Sequence, residues 1–185
     1  MWPYFWDIKN INNILKKPSL HVIGISYKKA SASLRGRFSL DMSSSKNFIL
    51  EAKKSGIESI VVNSTCNRVE IYAQSNNHKV LIKLLCKYSF GTESDFSSCG
   101  YVISGDAAIN HIFRVGTGLD SQILGDFEII AQMRQSFKIS KELKVINPFF
   151  DRLFNSVMQA SKRIKNETKL SSGATSVSFA AVRYI

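Results

Sequence analysis

The stretch from Ile57 to Gln74 constrains the fold more than any other part of the chain. Two β-branched runs, "IESIVVNS" and "RVEIYAQ", are separated only by Thr65, Cys66 and Asn67. So short a link closes a tight antiparallel hairpin. Upstream, "LHVIGISY" (Leu20 to Tyr27) alternates and is β-branched, which predicts a first strand. Asp41 then caps a helix through "MSSSKNFILEAKKSG", where Phe48, Ile49 and Ala52 share a face and Gly56 is the stop. Downstream, "HKVLIKLLCKYSFG" sets Val80, Leu81, Leu84, Leu85 and Tyr88 on one side of a second helix, and "CGYVISG" reads as a short fourth strand. The order strand, helix, strand, strand, helix, strand predicts an α+β domain. Its form is a ferredoxin-like split βαβ unit, an antiparallel sheet with helices on one face.

After Gly105 the periodicity becomes helical. "DAAINHIFRV" and "DFEIIAQMRQSFKISKEL" are helices on either side of a loop, "GTGLDSQILG". A longer helix then opens with Asn147 as cap and Pro148 at its first position, where the missing N–H costs nothing. Ile146, Phe150, Phe154, Val157, Ala160 and Ile164 mark its apolar stripe. Helix is expected to continue through "ATSVSFAAVRYI", with Ser171, Ser172 and Gly173 as a weak point. The domains read as an N-terminal extension (1–19), a ferredoxin-like part (20–104) with a helical part (105–146), and a long helix (147–185). The aromatic start, "MWPYFWDIKNINNILKK", lacks an apolar core and a small-residue cleavage site, so no signal peptide is expected; its aromatics read as a flap packing on the domain, with an interfacial anchor as the alternative. No apolar run approaches the roughly 20 residues that span a bilayer, so no membrane partner is expected.

Three cysteines without a CxxC pair argue against a disulfide framework and a zinc site, and suit the reducing cytoplasm. His21, His78 and His111 have no i, i+4 spacing, so no metal is expected. The net charge of +11 admits a polyanionic partner or a merely solvated basic surface. The positives are denser late: Arg134, Lys138, Lys141, Lys144, Arg152, Lys162, Arg163, Lys165 and Lys169 face only Glu142, Asp151 and Glu167. No basic run is interleaved with stacking aromatics, so contact with the backbone of a folded nucleic acid fits better than base reading.

Side chains alternate along a strand. With the third strand beginning near Cys66, the residues Asn67, Val69, Ile71 and Ala73 form the core face. Cys66, Arg68, Glu70 and Tyr72 take the other face, away from the packed side. The thiol then lies one pleat from a guanidinium, which favours the nucleophilic thiolate. Thr65 and Asn67 are candidate donors or acceptors to a substrate carbonyl or carboxylate. An idle cysteine is an equally simple reading of the spacing. Cys86 falls on an apolar helical face and Cys99 at the start of a strand, both structural. His111 lies one helical turn before Arg114, so both can face one cleft, although a lone histidine is more often a structural hydrogen-bonder.

Four blocks, "GISYKKASASLRGRFSL", "VVNSTCNRVEIY", "HIFRVGTGLDSQILG" and "RLFNSVMQASKRIKNETKLSSGATSVSFAAV", occur in one order across most of Ile23 to Val182. Together they resemble the N-terminal half of glutamyl-tRNA reductases. The resemblance implies a ferredoxin-like catalytic domain with a helical part, followed by the start of a long spinal helix. It implies that Cys66 attacks the ester of glutamyl-tRNA to form a thioester, which NADPH reduces to glutamate-1-semialdehyde, the precursor of tetrapyrroles. It carries catalytic roles to Cys66 and His111. Substrate binding falls on Thr65, Cys66, Asn67, Arg68, Ser121, Asp126, Phe127, Glu128 and Gln132, with Arg68 as a charge-assisted fork for the glutamyl carboxylate.

Three departures stand out. Where the family has Gly-Glu-Pro-Gln, this chain has "GDFE", Gly125 to Glu128. Glu128 thereby replaces an amide donor with an acceptor, or serves as a dipole partner at a helix N-terminus. The family's Asn-His near the first strand is Ser26-Tyr27, and its Thr-Ala-Pro is Lys29-Ala30-Ser31. The sequence ends at "VRYI", where the family continues into an NADPH-binding Rossmann domain and a dimerisation domain. "GTGLDS" looks like G-x-G-x-x-G but follows a helix, so no dinucleotide site is expected in this chain. The expectation is a catalytic domain limited to thioester formation and hydrolysis, with a homodimer possible in full-length members. The alternatives are a non-catalytic module that holds tRNA or a protein partner, and a redox-sensing cysteine.

Overall fold

The computed structural model describes residues 19–168. The aromatic N-terminal extension and the expected helix through "ATSVSFAAVRYI" lie outside the described residues. Among the described residues four strands form one sheet: β1 (Ser19–Ser26), β2 (Ser59–Ser64), β3 (Arg68–Ser75) and β4 (Tyr101–Ser104). Seven helices accompany them among the described residues: α1 (Ala32–Arg37), α2 (Met42–Lys54), α3 (His78–Tyr88), α4 (Glu93–Cys99), α5 (Asp106–Gly116), α6 (Glu128–Glu142) and α7 (Pro148–Glu167). The strand order is β2-β3-β1-β4 with antiparallel neighbours throughout. β1 and β2 therefore run parallel with β3 between them, the split βαβ arrangement of an α+β fold.

The helix starts follow local chemistry. Asp41 caps α2 by accepting from the Ser44 amide, and Asn147 caps α7 by accepting from the Phe150 amide, with Pro148 in the first turn. The Asn147 cap is also tied to the sheet. Its own N–H donates to Ser59 Oγ at 2.9 Å, and its side-chain amide donates to Gln74 Oε1 at 2.5 Å. α1 and α4 were not expected from the periodicity. α4 carries a capping box, Thr92 with Asp95, that the sequence spells out as Thr-x-x-Asp. Cys99 accordingly ends a helix rather than starting a strand.

The expected single helical layer is corrected to two. Odd-numbered residues of β1 and β3, among them Ile23, Ile25, Val69 and Ile71, pack beneath α2, α3 and α4 through Phe48, Ile49, Leu81, Leu85 and Phe96. Even-numbered ones, Leu20, Val22 and Tyr72, pack with Val61 against α5, α6 and α7 through Ile112, Met133, Phe137 and Phe154. The helices after Gly105 are thus the cover of the second sheet face. The physical reason is the composition of the strands. β1 is buried at every position after Ser19, and β2 is buried at all but Ser64. Such near-continuous apolar runs mark strands covered on both sides.

Candidate active site

Cys66 occupies the tip of the β2–β3 hairpin. Thr65 closes the turn: its amide and its hydroxyl both donate to the Arg68 carbonyl (2.8 and 3.1 Å), and its Oγ1 accepts from the Asn67 and Arg68 amides. The threonine proton is therefore committed to the backbone rather than offered to a substrate. From outside the hairpin, the Tyr27 amide donates to the Asn67 carbonyl at 2.9 Å, and Arg35 Nε donates to the Cys66 carbonyl at 3.2 Å. So braced, Cys66 is the exposed one of the three cysteines; Cys86 is half-buried and Cys99 buried.

The loop between α5 and α6 forms the facing wall. Gly118 bends it at φ 74°, and a Cβ there would meet the Asp126 carbonyl at 3.0 Å. The glycine serves this loop. "GTGLDS" joins a helix to a turn and forms no strand-to-helix phosphate cradle, so these residues do not fit NADPH. Asp126 accepts from the Glu128 amide at 2.9 Å, and Glu128 opens α6, where the helix dipole favours an acid. Between hairpin and loop lies a cleft of about 140 Å³. Thr65, Cys66, Asn67 and Arg68 line one side. Ser121, Gln122, Asp126, Glu128, Ile129 and Gln132 line the other.

Two residues of the expected set lie elsewhere. Phe127 turns to the opposite side of α6, into a groove against α7. His111 lies in a separate cavity with Lys28, Tyr101 and Asp120, and Arg114, expected to share its cleft, does not line that cavity. His111 reaches Arg68 through Glu70. The carboxylate of Glu70 accepts from Arg68 Nη1 (3.1 Å), His111 Nε2 (2.7 Å), and the hydroxyls of Tyr72 and Tyr101. Because an ionised carboxylate only accepts, the Nε2 atom of His111 carries the proton.

The guanidinium of Arg68 corrects two expectations. It is buried rather than turned to the open side of a strand, since the second sheet face is covered. It is also spoken for. Nη1 and Nη2 each donate to Asp120 Oδ2 at 3.3 Å, Nη2 donates to the Asp120 carbonyl, and Nη1 donates to Glu70. Asp120 also pairs with Lys28. The arginine thus clamps the hairpin to the facing loop. The guanidinium that touches the cysteine residue is that of Arg35, which donates to the backbone carbonyls of Cys66 and Ala30.

Burial works against charge on Glu70. The His111 hydrogen bond and the Arg68 charge outweigh it and bring the carboxyl down to about 2. Burial likewise opposes the charge on Arg68, and Glu70 leads the neighbours that raise its pKa. Burial, then Glu70, pushes the Tyr72 and Tyr101 phenols well up, so both stay protonated donors. Gly24 makes the room. It lies between Glu70 and Tyr101 in the strand register, and a Cβ there would stand 2.8 Å from Glu70 Cγ and 2.9 Å from the Tyr101 oxygen. Glu70 and Asp120 escaped the sequence reading as site residues, although each sits inside a motif singled out there, "STCNRVEIY" and "GLDS".

Fold and site define a class: an α+β domain with a split βαβ sheet that presents a thiol at a hairpin tip to a polar cleft. Residues 23–168 match the family described as glutamyl-tRNAGlu reductase, N-terminal domain. A glutamyl-tRNA reductase of Flavobacterium psychrophilum is 56% identical over 94% of this chain and 42% of its own length. One from Bacillus pumilus is 40% identical over 87% of this chain and 36% of its own. The solved glutamyl-tRNA reductase from Methanopyrus kandleri superposes with a TM-score of 0.73 at 26% identity, covering 89% of this chain and 39% of that one. The chain belongs to the glutamyl-tRNA reductase family through its N-terminal domain, and it spans about two fifths of the length of the relatives it matches.

Proposed function

We propose that this domain carries the acyl-transfer half-reaction of a glutamyl-tRNA reductase, with Cys66 as the acceptor of the glutamyl group. In that reaction the Cys66 sulfur attacks the carbonyl carbon of the ester at the RNA 3′ end. The C–S bond forms, the C–O bond to the ribose breaks, and the proton of the thiol ends on the freed hydroxyl by way of water. The observation that carries this reading is the exposure of Cys66 at a braced hairpin tip, facing a small polar cleft lined by the neutral donors Asn67, Ser121, Gln122 and Gln132, by the clamped Arg68 and by the carboxylates of Asp126 and Glu128.

The cleft chemistry suits an aminoacyl ester. The hydroxyl of Ser121 and the amide of Gln132 are neutral donors for the oxygen on which charge develops as sulfur adds. Asp126 and Glu128 complement the ammonium group that every aminoacyl ester carries, which gives the acidic departure at Glu128 a use. Arg68 acts by holding the hairpin to the loop, and His111 by holding Glu70, so both are positioning residues in this scheme. Reduction of the thioester by NADPH, cytoplasmic residence and homodimer formation belong to the proposed whole protein, and no reduction step runs through these residues. Without reduction, water cleaves the thioester and the net activity is a slow esterase. Release of free tRNA from glutamyl-tRNA, followed by acid gel electrophoresis, tests this. Release is expected with the native chain and not with Cys66→Ser; equal release by both would overturn the reading.

A further inference from the structure

We infer that the groove between α6 and α7 is the track along which the RNA backbone approaches Cys66. The inference deepens the acyl-transfer reading and rests on it for the identity of the ligand. The first turns of α6 face two ways. Glu128 and Gln132 line the cysteine cleft, while Phe127, Ile130 and Arg134 line the groove, which has a volume of about 510 Å³. One helix end thus joins the two concavities.

The charge in the groove is of one sign. Arg134 from α6 meets Lys162 and Lys165 from α7, and among the described residues none of the three forms an ion pair. Other late cations do: Lys141 pairs with Asp151 and Arg163 with Glu167. Lys138, Lys144 and Arg152 are likewise outside any ion pair among the described residues but do not line the groove; Arg134, Lys162 and Lys165 differ from them in converging from two helices on one concavity. Phe127 lies among them, with Lys165 Nζ 5.7 Å from its ring centroid, and the amide side chains of Asn155 and Gln159 complete the polar lining. Cations with an aromatic ring and neutral hydrogen-bonding groups take a phosphodiester chain with a base stacked on the ring. The sequence pattern contains no such interleaving because the fold assembles it from two helices. An aminoacyl ester sits at the end of an RNA strand, so a strand lying in this groove brings its terminus over α6 to the thiol.

The probe is unacylated tRNA for glutamate, its binding to the chain followed by fluorescence anisotropy between about 50 and 200 mM salt. Two triple variants of equal charge change are compared. One is Arg134→Gln with Lys162→Gln and Lys165→Gln; the other removes exposed lysines from the opposite side, Lys54→Gln with Lys79→Gln and Lys83→Gln. Far-UV circular dichroism verifies that both fold. The groove variant is expected to weaken binding at least about tenfold at low salt and to flatten the log–log salt slope by about 2, close to 0.7 per lost phosphate contact. The second variant is expected to change both far less. Equal losses in the two variants, or unchanged binding in the groove variant, would overturn the inference. Acylation of Cys66 by a small glutamyl thioester is measured alongside and is expected to be unchanged in the groove variant. Failure of that acylation in the native chain counts against the acyl-transfer reading alone, because the RNA comparison does not depend on it.

Discussion

Replacing Glu70 with glutamine tests how the two walls of the cleft are held. The carboxylate is fully buried and takes hydrogen bonds from Arg68, Tyr72, Tyr101 and His111. Glutamine keeps the shape, drops the charge and turns an NH₂ group toward donors. Removing one member of a buried ion pair costs about 3–5 kcal/mol. Asp120 still faces Arg68 in the variant, which favours the lower end of that range. Ionisation gives a second route to the magnitude. A carboxyl brought from 4.5 to about 2 by folding contributes about 3 kcal/mol. The sign is that of a depressed pKa. The stabilisation is complete above the unfolded value of 4.5 and is lost as pH falls through the folded value of about 2. Urea unfolding followed by far-UV circular dichroism at neutral pH is expected to move the midpoint down by about 1–3 M, for a slope of about 1–3 kcal/mol/M. Below about pH 4.5 the native chain should lose stability more steeply than Glu70→Gln. A midpoint shift under about 0.5 M together with parallel acid profiles would refute the clamp.

Gly24→Ala places a methyl against Glu70 and the Tyr101 hydroxyl, and calorimetric melting should show a loss of about 1–3 kcal/mol; an unchanged melting temperature would show the notch to be roomier than described. Asn147→Ala removes the cap of α7 and its tie to Gln74, and should cost about 1–2 kcal/mol in urea unfolding. Alkylation by iodoacetamide, mapped by peptide mass, should modify Cys66 before Cys86, whose thiol burial pushes up, and Cys86 before the buried Cys99. Early modification of Cys99 would contradict the packing of α4.

Much of this fold was legible because its elements obey local rules. The hairpin link, the Asp41 and Asn147 caps and the apolar stripe of α7 each appear in the sequence at the place where the structure uses them. The second helical layer was harder to read. Alternation assigns a residue to a face but says nothing of what covers that face, and Arg68, Glu70 and Tyr72 look like solvent-side residues until α5 and α6 are laid over them. The clamp was hidden for the same reason. Asp120 is 52 residues from the arginine it binds, and only the tertiary fold brings them together. The cleft fared better, because six of its residues come from two short motifs that the hairpin and the Gly118 loop bring face to face, and Asp126 and Glu128 come from the "GDFE" that follows directly. Phe127 falls outside it through the geometry of a helix start, where at 3.6 residues per turn successive side chains point about 100° apart, so neighbours of Glu128 need not share its cleft.

The central claim concerns a single sulfur atom, and peptide mapping of the chain after brief exposure to glutamyl-tRNA and acid quench addresses it directly. A glutamyl mass increment on the Cys66 peptide, labile to hydroxylamine and absent from Cys66→Ser, is the predicted result. An increment found only on Cys86 or Cys99, or none under conditions in which the tRNA is bound, would contradict it.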